Sequence, residues 1–309
     1  MQKQKNIRLL IALSIIVIII ALLPLLKSTG DGLSVNKKQF TLDQQTVITD
    51  VILSSDSINN KLSYINGKWL VNNKYELDPH MRDVFFSIIS QMEIRRTISK
   101  TQNDSINNAL KNRSIKVSIL NNQELIQEYW IWGDKKTQTS YISDANREQS
   151  YVLHIPGYRS YVAGIFQVPE SDWRSRRVFT TLFTNLNALT IEYPDESINF
   201  KYKESFFEIE GVYADSTQLI TSLENLLFLQ TEQYVLPSEL SNYMNGDFLP
   251  TKTIATITAS KLSGAKEKVS VYEIENEANF YLGLTPDSSY CLFNKKRLKK
   301  ILVKKMNFN

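Results

Sequence analysis

Hydrophobic and polar positions follow the same order twice along this chain, about 138–140 residues apart. In each copy, an alternating strand is followed by a β-hairpin, a helix with one apolar stripe and a meander of strands. Trp69 and Phe207 occupy matching places, as do Tyr151 and Tyr290. The pattern predicts an α+β fold with two tandem repeats, each a mainly antiparallel sheet with helices packed on one face.

The first copy contains the clearest local signals. Asn66-Gly67 lies between two alternating apolar runs, and both residue types accept the positive φ that a two-residue hairpin turn requires. Asp78 is a typical N-cap residue, and Pro79 suits the first helical position. The predicted helix stripe consists of Met81, Val84, Phe85, Ile88, Ile89 and Met92. Strands are predicted at 47–53, 115–120, 125–132, 137–142 and 150–154.

The second copy repeats this order from Leu186 onward. Alternation at 198–203 and a return run at 206–209 predict another hairpin. Asp215 or Ser216 is predicted to cap a helix, and Ile254 is matched with Ile115 of the first copy. The predicted stripe of that helix consists of Leu219, Ile220, Leu223, Leu226 and Leu227.

Residues 9–26 form an apolar stretch without a charged residue. As a helix they span about 27 Å, close to the roughly 30 Å hydrocarbon core of a bilayer. Lys3, Lys5 and Arg8 precede the stretch and only Lys27 follows closely, so the N-terminus is expected in the cytoplasm. We therefore predict a single-pass transmembrane helix that places the body of the protein outside the cytoplasm.

A cleaved signal peptide is the alternative interpretation of this stretch. Ser28 and Gly30 are compatible with a small-x-small cleavage site, but the apolar run is long and Lys27 lies in the cleavage region. Both interpretations export the remainder. The predicted organisation is a cytoplasmic N-terminus at 1–8, a transmembrane helix at 9–26, a linker at 27–39, a first α+β repeat at 40–170 and a second repeat with a basic C-terminal tail at 171–309.

The formal net charge of +4 hides an acidic body. Residues 1–27 carry four basic groups and no acidic ones, and residues 288–309 carry seven and none, which leaves 25 basic against 32 acidic groups between them. An acidic body argues against nucleic-acid binding, which needs a basic face. Cys291 is the only cysteine, so an intramolecular disulfide is excluded, as is common in bacterial envelope proteins.

Four stretches carry a resemblance to a known family. They are FTLDQQTVITDVIL at 40–53, GKWLVNNKYELD at 67–78, YVLHIPGYRSYVAGIF at 151–166 and WRSRRVFTTLFTNLNALTIEY at 173–193, within roughly residues 40–300. Together they resemble the bacterial domain of unknown function 4340. The resemblance implies a membrane-anchored envelope protein associated with ABC-type transport or gliding machinery. It implies no active site, so no catalytic role is carried over to any residue.

The sequence offers no catalytic, cofactor or metal signature. His80, His154 and Cys291 lie far apart and lack metal-ligand spacing, and no nucleophile-elbow, zinc-protease, P-loop or dinucleotide motif occurs. Glu273 and Glu275 alternate on a predicted strand, as an acid/base pair would, but a solvated sheet face has the same pattern. We predict a non-enzymatic protein without a cofactor; an envelope hydrolase is a minor alternative.

Candidate partner-binding residues lie near the end of the first copy and at the junction of the two copies. Pro156-Gly157 ends a strand and precedes Tyr158, Arg159 and Tyr161, residue types enriched in binding hot spots. A structured connection to the second repeat is the alternative. Trp173 and Arg174 follow at the junction, where arginines would pair with acidic groups across the seam between the repeats or with an acidic partner.

The basic tail is a candidate contact for anionic lipids. Its cations alternate with apolar residues, which also fits a closing strand or helix with snorkelling lysines. The candidate lipid contacts are Lys295, Lys296, Arg297, Lys299 and Lys300.

These features favour an extracytoplasmic, non-enzymatic protein-interaction module of the bacterial inner membrane, accessory to an envelope transport or surface machinery. The alternative function is the binding of a small envelope ligand, a glycan or a lipid, in the cleft between the repeats.

Overall fold

The computed structural model describes Leu13 and residues 35–159, 161–204, 206–212, 214–243 and 252–308. Apart from Leu13, the transmembrane helix predicted at 9–26 lies outside these residues. Within the described residues, no helix is long and apolar enough to cross a membrane. The fold described below begins at Val35.

The first unit is built on an antiparallel sheet that, in the described residues, has nine strands in the order β4-β3-β2-β1-β6-β7-β8-β9-β5. The strands are β1 (Asp50–Ser54), β2 (Asn59–Ile65), β3 (Lys68–Val71), β4 (Tyr75–Glu76), β5 (Glu93–Thr97), β6 (Ile115–Asn121), β7 (Glu124–Asp134), β8 (Thr139–Asp144) and β9 (Ser150–His154). Helices α1 (Pro79–Gln91) and α2 (Lys100–Arg113) belong to this unit. A 3₁₀ helix at Val162–Gln167 and the short helix α3 (Glu170–Trp173) follow it.

The second unit has, over the described part of the chain, eight antiparallel strands in the order β12-β11-β10-β14-β15-β16-β17-β13. They are β10 (Leu186–Glu192), β11 (Ser197–Lys203), β12 (Phe206–Ile209), β13 (Gln233–Tyr234), β14 (Thr253–Lys261), β15 (Lys266–Tyr272), β16 (Phe280–Leu284) and β17 (Tyr290–Asn294). The helices are α4 (Ser216–Leu227) and α5 (Lys295–Ile301), with 3₁₀ helices at Phe183–Asn185, Pro237–Asn242 and Lys305–Phe308.

The eight strands from β3 to β5 across the first sheet correspond one to one, in the same chain order, to the eight strands from β12 to β13 across the second. Each sheet has its first strand in the centre, its first hairpin on one side and its meander on the other. The added strand of the first unit is β4, which lengthens the hairpin side. The prediction of an α+β fold built on two mainly antiparallel sheets with few helices is confirmed.

Local sequence signals explain the first hairpin and both main helices. Asn66 and Gly67 have φ values of 51° and 82°, the conformation of a type I′ turn, and Tyr64 pairs with Trp69 across the strands. Asp78 caps α1 by accepting hydrogen bonds from the backbone N–H groups of residues 80 and 81, at 2.9 and 3.0 Å. Asp215 caps α4 in the same way.

Each unit has its own hydrophobic core between the sheet and one helix. In the first, Phe85 of α1 is fully buried, and its ring lies edge-on to those of Phe166 and Trp173, both 5.4 Å away. In the second, Leu223 and Leu226 of α4 are fully buried against the sheet. Burial of these apolar surfaces is the main stabilising contribution to each unit.

Helices cover both faces of the first sheet, which corrects the prediction of helices on one face. Tyr129 and Ile131 of β7 point into the core, whereas Trp132 points to the opposite face and stacks on Tyr141 at 5.1 Å. Helix α2 packs against β7 and β9, and its residue Gln102 borders a cleft with Tyr141. Because Trp132 and Tyr141 form a second apolar surface on this face, β7 is apolar on both faces.

Smaller corrections concern single residues. Val47 is 66% exposed and precedes β1, and Ile220 of the predicted α4 stripe is 42% exposed. Strand pairing makes Ala255, rather than Ile254, the equivalent of Ile115. Val117 pairs with β1 as Ile257 pairs with β10, and Ile115 and Ala255 each lie two residues earlier. A shift of one residue reverses the face of a strand, which spacing counted along the chain does not resolve.

Replacing Phe85 with alanine should lower the free energy of unfolding by about 3–5 kcal/mol, because the cavity forms between three aromatic rings. Phe206→Ala is the matched control, because that ring is 60% exposed and its loss should change stability by no more than about 0.5 kcal/mol. Urea denaturation measures both variants, and equal effects would contradict the assigned core.

Candidate functional site

The segment that joins the units pairs with both of them. In the first unit, the Asp78 N–H donates to the carbonyl of Trp173 at 2.8 Å, and the Ser175 N–H donates to the carbonyl of Glu76 at 2.7 Å. In the second, the Thr231 N–H donates to the carbonyl of Arg176 at 2.9 Å. Because backbone hydrogen bonds fix this segment on either side, residues 174 and 175 lie in the seam between the units.

Arg174 is the centre of the seam. Its guanidinium carbon lies 3.5 Å from the ring centroid of Tyr75, in β4, and 3.7 Å from that of Tyr234, in β13. One terminal nitrogen donates to Asp287 at 2.8 Å and to Ser289 at 3.1 Å. Only 7% of the residue is exposed. Arg174 therefore pairs with an acidic group inside the protein, the arrangement that the seam interpretation of the junction arginines expects.

A second anchor of the joining segment is the carboxylate of Glu267, in β15. It accepts hydrogen bonds from the backbone N–H groups of Thr180 and Thr181, both at 3.0 Å, and from both threonine hydroxyls. The Lys261 ammonium donates to it at 2.8 Å. Burial by itself raises the pKa of Glu267, but these hydrogen bonds outweigh it and hold the pKa at about 2.

The Pro156-Gly157 sequence forms a tight turn that displays Tyr158. Gly157 has a φ of +81°, and the Tyr158 N–H donates to the carbonyl of Ile155 at 3.1 Å, as in a type II turn. Tyr158 is 70% exposed, and Arg159 is exposed beside it. The turn therefore holds an aromatic ring and a cation in solvent on a fixed backbone.

Tyr161 has a different environment although it lies close in sequence. Its ring packs on Gly133 of β7 and on Gly164, where neither glycine leaves room for a side chain beneath the ring. Its hydroxyl donates to the side-chain oxygen of Gln167 at 3.0 Å, and partial burial raises its pKa. Tyr161 thus belongs to the packing of the first unit and is not displayed to solvent as Tyr158 is.

The five candidate partner-binding residues therefore differ in their exposure to solvent. Tyr158 and Arg159 are exposed, and their role in partner binding stays a prediction. Tyr161 is half-buried, whereas Trp173 and Arg174 are buried inside the protein. The structure does not bring these five residues onto one surface.

A cleft of about 760 Å³ lies in the first unit and contains none of the five residues. It is bounded by α1, the β2–β3 hairpin and the segment that precedes β1. Trp69 lies at its centre, with the ring of Tyr64 at 5.7 Å and that of Phe86 at 4.9 Å. Tyr64 is 50% exposed, so this aromatic cluster is open to solvent.

The cleft between the units is much smaller. It measures about 170 Å³ and is lined by Arg174, Tyr234 and Asp287 among others. Ligand pockets typically occupy roughly 300–1,000 Å³. The space at the seam is therefore smaller than the space the alternative function requires for a glycan or a lipid.

The five candidate lipid contacts of the tail lie in a short helix, α5. Lys295 is mostly buried; its ammonium lies 2.5 Å from a carboxylate oxygen of Glu273, so it is occupied within the protein. Arg297 donates to Glu232 at 2.9 Å but stays 62% exposed. Lys296, Lys299 and Lys300 are exposed.

The remaining reactive groups do not converge. Among the described residues, no group of three or more His, Cys, Asp and Glu side chains is placed to hold a metal ion. Cys291 is buried in the second core, and burial raises its pKa to about 12, which keeps the thiol protonated. His80 lies in the first turn of α1 and His154 at the end of β9.

Comparisons of the chain with protein-family models, with curated proteins and with solved structures gave no match. The resemblance to the domain of unknown function 4340 stays a prediction.

Two parts of the site have weak signals in the sequence. Tyr64 and Trp69 follow the apolar alternation of their hairpin, so the sequence pattern assigns them to the core. In the structure they border an open cleft. Asp287 and Tyr234 are separated from Arg174 by 113 and 60 residues. The charge of Arg174 indicates an acidic partner, but spacing along the chain does not identify it.

Replacing Arg174 with alanine should lower the free energy of unfolding by about 2–4 kcal/mol, because the change removes two cation–π contacts and a largely buried ion pair. Arg174→Lys keeps the charge but loses the planar stacking, so it should recover less than half of that loss. Arg176→Ala is the control, since Arg176 is exposed and contributes its backbone carbonyl to the seam. Comparable losses in the alanine variants would contradict the role given to Arg174.

Glu267 should make the free energy of unfolding depend on pH between about pH 4.5 and 2. Its folded-state pKa, about 2, lies below its ordinary value of 4.5, so its contribution is complete above about pH 4.5 and is lost as the pH falls toward 2. Stability curves of the wild type and Glu267→Gln should differ at about pH 6 and converge near pH 2. Glu239→Gln, at an exposed position, should follow the wild type throughout. A difference between wild type and Glu267→Gln that is independent of pH would contradict the assignment.

Proposed function

We propose that the protein is a non-enzymatic protein-interaction module, anchored in the bacterial inner membrane by residues 9–26 and accessory to an envelope transport or surface machinery. The body acts outside the cytoplasm. Its partner contacts centre on the turn that carries Tyr158 and Arg159.

The membrane part of the proposal is supported by the sequence. An uncharged apolar stretch of 18 residues has the length that a bilayer requires, and basic residues precede it. The body that follows it combines an acidic net charge with a single cysteine.

The observation that carries the interaction function is the exposure of Tyr158 on an ordered turn. Exposed tyrosines on fixed backbones provide large contact area at little conformational entropy cost, and tyrosine and arginine dominate binding hot spots. The turn itself is fixed by the Tyr158 N–H, which donates to the carbonyl of Ile155 at 3.1 Å, and Ile155 is buried in the first core.

We further propose that the two units are tandem repeats of one α+β unit. The shared strand order supports this proposal, as does the matching of the cross-strand pair Tyr64–Trp69 with the pair Tyr202–Phe207. The Pro156-Gly157 turn follows the meander of the first unit, whereas α5 follows that of the second. A repeated unit that differs at this point has acquired a specialised surface there.

Contact with anionic lipids is proposed for the exposed cations of α5. Lys296, Lys299 and Lys300 are exposed in the structure, and each cation near a charged leaflet contributes about 1 kcal/mol to binding. Arg297 adds to this surface, while Lys295 contributes little because it is paired with Glu273.

Photo-crosslinking in intact cells tests the interaction function. With benzoylphenylalanine in place of Tyr158, we expect a discrete adduct with an envelope protein, and Arg159→Ala should reduce its yield about tenfold or more, since hot-spot residues contribute about 2 kcal/mol each. The matched control places the same crosslinker at Leu125, which is 53% exposed on β7.

The fold should be unaffected by these changes, because Tyr158 and Arg159 make few contacts with the body; circular dichroism and thermal unfolding check this point. Adducts of equal yield and identity at Tyr158 and Leu125, or an adduct at Tyr158 that is insensitive to Arg159→Ala, would contradict the proposal.

A further inference from the structure

The open aromatic cleft of the first unit has no role in the proposed function. Its volume of about 760 Å³ lies within the roughly 300–1,000 Å³ typical of ligand pockets. Leu42 and Ile89 lie in its wall, where the Leu42 N–H donates to the carbonyl of Ile89 at 2.9 Å and fixes the segment before β1 on the end of α1. The cleft is thus bounded by three anchored elements.

Most of the charged side chains around the cleft are paired with one another. The Lys68 ammonium lies 2.9 Å from Glu76, and the Arg82 guanidinium lies 2.7 Å from Asp83. Asp43 accepts a hydrogen bond from the Gln45 N–H at 3.0 Å. With two ion pairs and one remaining carboxylate, the lining that the structure describes offers no unpaired cation to an anionic ligand. What is left for recognition is mainly aromatic and uncharged, as a neutral ligand requires.

Uncharged polar groups line the same walls. Gln44 lines the cleft from the segment before β1, and Ser87 and Gln91 line it from α1. The Gln91 amide nitrogen donates to the Ser87 hydroxyl at 2.7 Å, which orients both side chains. Amide and hydroxyl groups of this kind both donate and accept hydrogen bonds.

The second unit provides an internal comparison. There the segment before β10 places the ring of Phe183 against Phe207, 5.1 Å away, and Phe207 matches Trp69 in the hairpin register. In the first unit, the corresponding segment before β1 carries Gln44 and Gln45 instead of Leu182 and Phe183. At these two positions the first unit has amide side chains, whereas the second unit has a leucine and the phenylalanine that packs on Phe207.

We propose that this cleft binds a neutral saccharide. A sugar ring has an apolar C–H face, which stacks on Tyr64 and Trp69, and hydroxyl edges, which bond with Gln44, Ser87 and Gln91. The inference does not depend on the interaction function of the Tyr158 turn, which lies outside the cleft.

Titration of the full chain in detergent with three neutral trisaccharides, tri-N-acetylchitotriose, cellotriose and maltotriose, tests the proposal. At least one of them should give a saturable change in tryptophan fluorescence and raise the melting temperature. Trp69→Phe keeps an aromatic ring but removes the local indole, so it should abolish the fluorescence change while the thermal shift persists.

Tyr64→Ala should weaken binding about tenfold, since it removes a stacking face. Tyr202→Ala is the matched control, because Tyr202 occupies the equivalent cross-strand position of the second unit and is 41% exposed. It should bind as the wild type does, and the melting temperatures of the unliganded variants show that both are folded.

Three outcomes overturn the proposal. One is the absence of a saturable response to all three saccharides at millimolar concentration. Another is an equal loss of affinity in Tyr64→Ala and Tyr202→Ala. The third is a response to the tripeptide Gly-Phe-Gly without a response to any saccharide, which would assign the cleft to a peptide ligand.

Discussion

The placement of Arg174 between Tyr75 and Tyr234 is the contact on which the relation between the two units depends. Each unit has a separate core, so neither needs the other to bury its main helix. The guanidinium joins them because it stacks on one ring from each unit and pairs with Asp287. A planar, permanently charged group suits this place, since an ammonium cannot stack on two rings. The backbone pairing of the joining segment then fixes where Arg174 lies.

This arrangement separates structural from exposed groups along a short stretch of sequence. Trp173 and Arg174 hold the units together, while Tyr158 and Arg159, fifteen residues earlier, face solvent. Both the Tyr158 turn and the aromatic cleft belong to the first unit. We therefore interpret the first unit as the binding part, and the second as a structurally similar body in which Phe183 packs against the equivalent of Trp69.

Much of each unit could be predicted from the sequence because its signals are local. Asn66-Gly67 fixes the first hairpin, and Asp78 and Asp215 mark the helix starts through their caps. The partners of Arg174 could not be predicted, because Asp287 and Tyr234 are distant from it along the chain. The aromatic cleft could not be predicted either, because it brings together the segment before β1, the β2–β3 hairpin and α1. The two-residue strands β4 and β13 also lack a periodic signal, yet they supply both rings that enclose Arg174.

The distance distribution between the two units tests the central role of Arg174 most directly. Spin labels on Leu125→Cys and Leu262→Cys report it by double electron–electron resonance, since both positions are exposed and the native Cys291 is buried. With Arg174 present, the account predicts one narrow distance peak, and with Arg174→Ala a distinctly broader distribution. Distributions of equal width in the two proteins would contradict the claim that this guanidinium holds the units in one orientation.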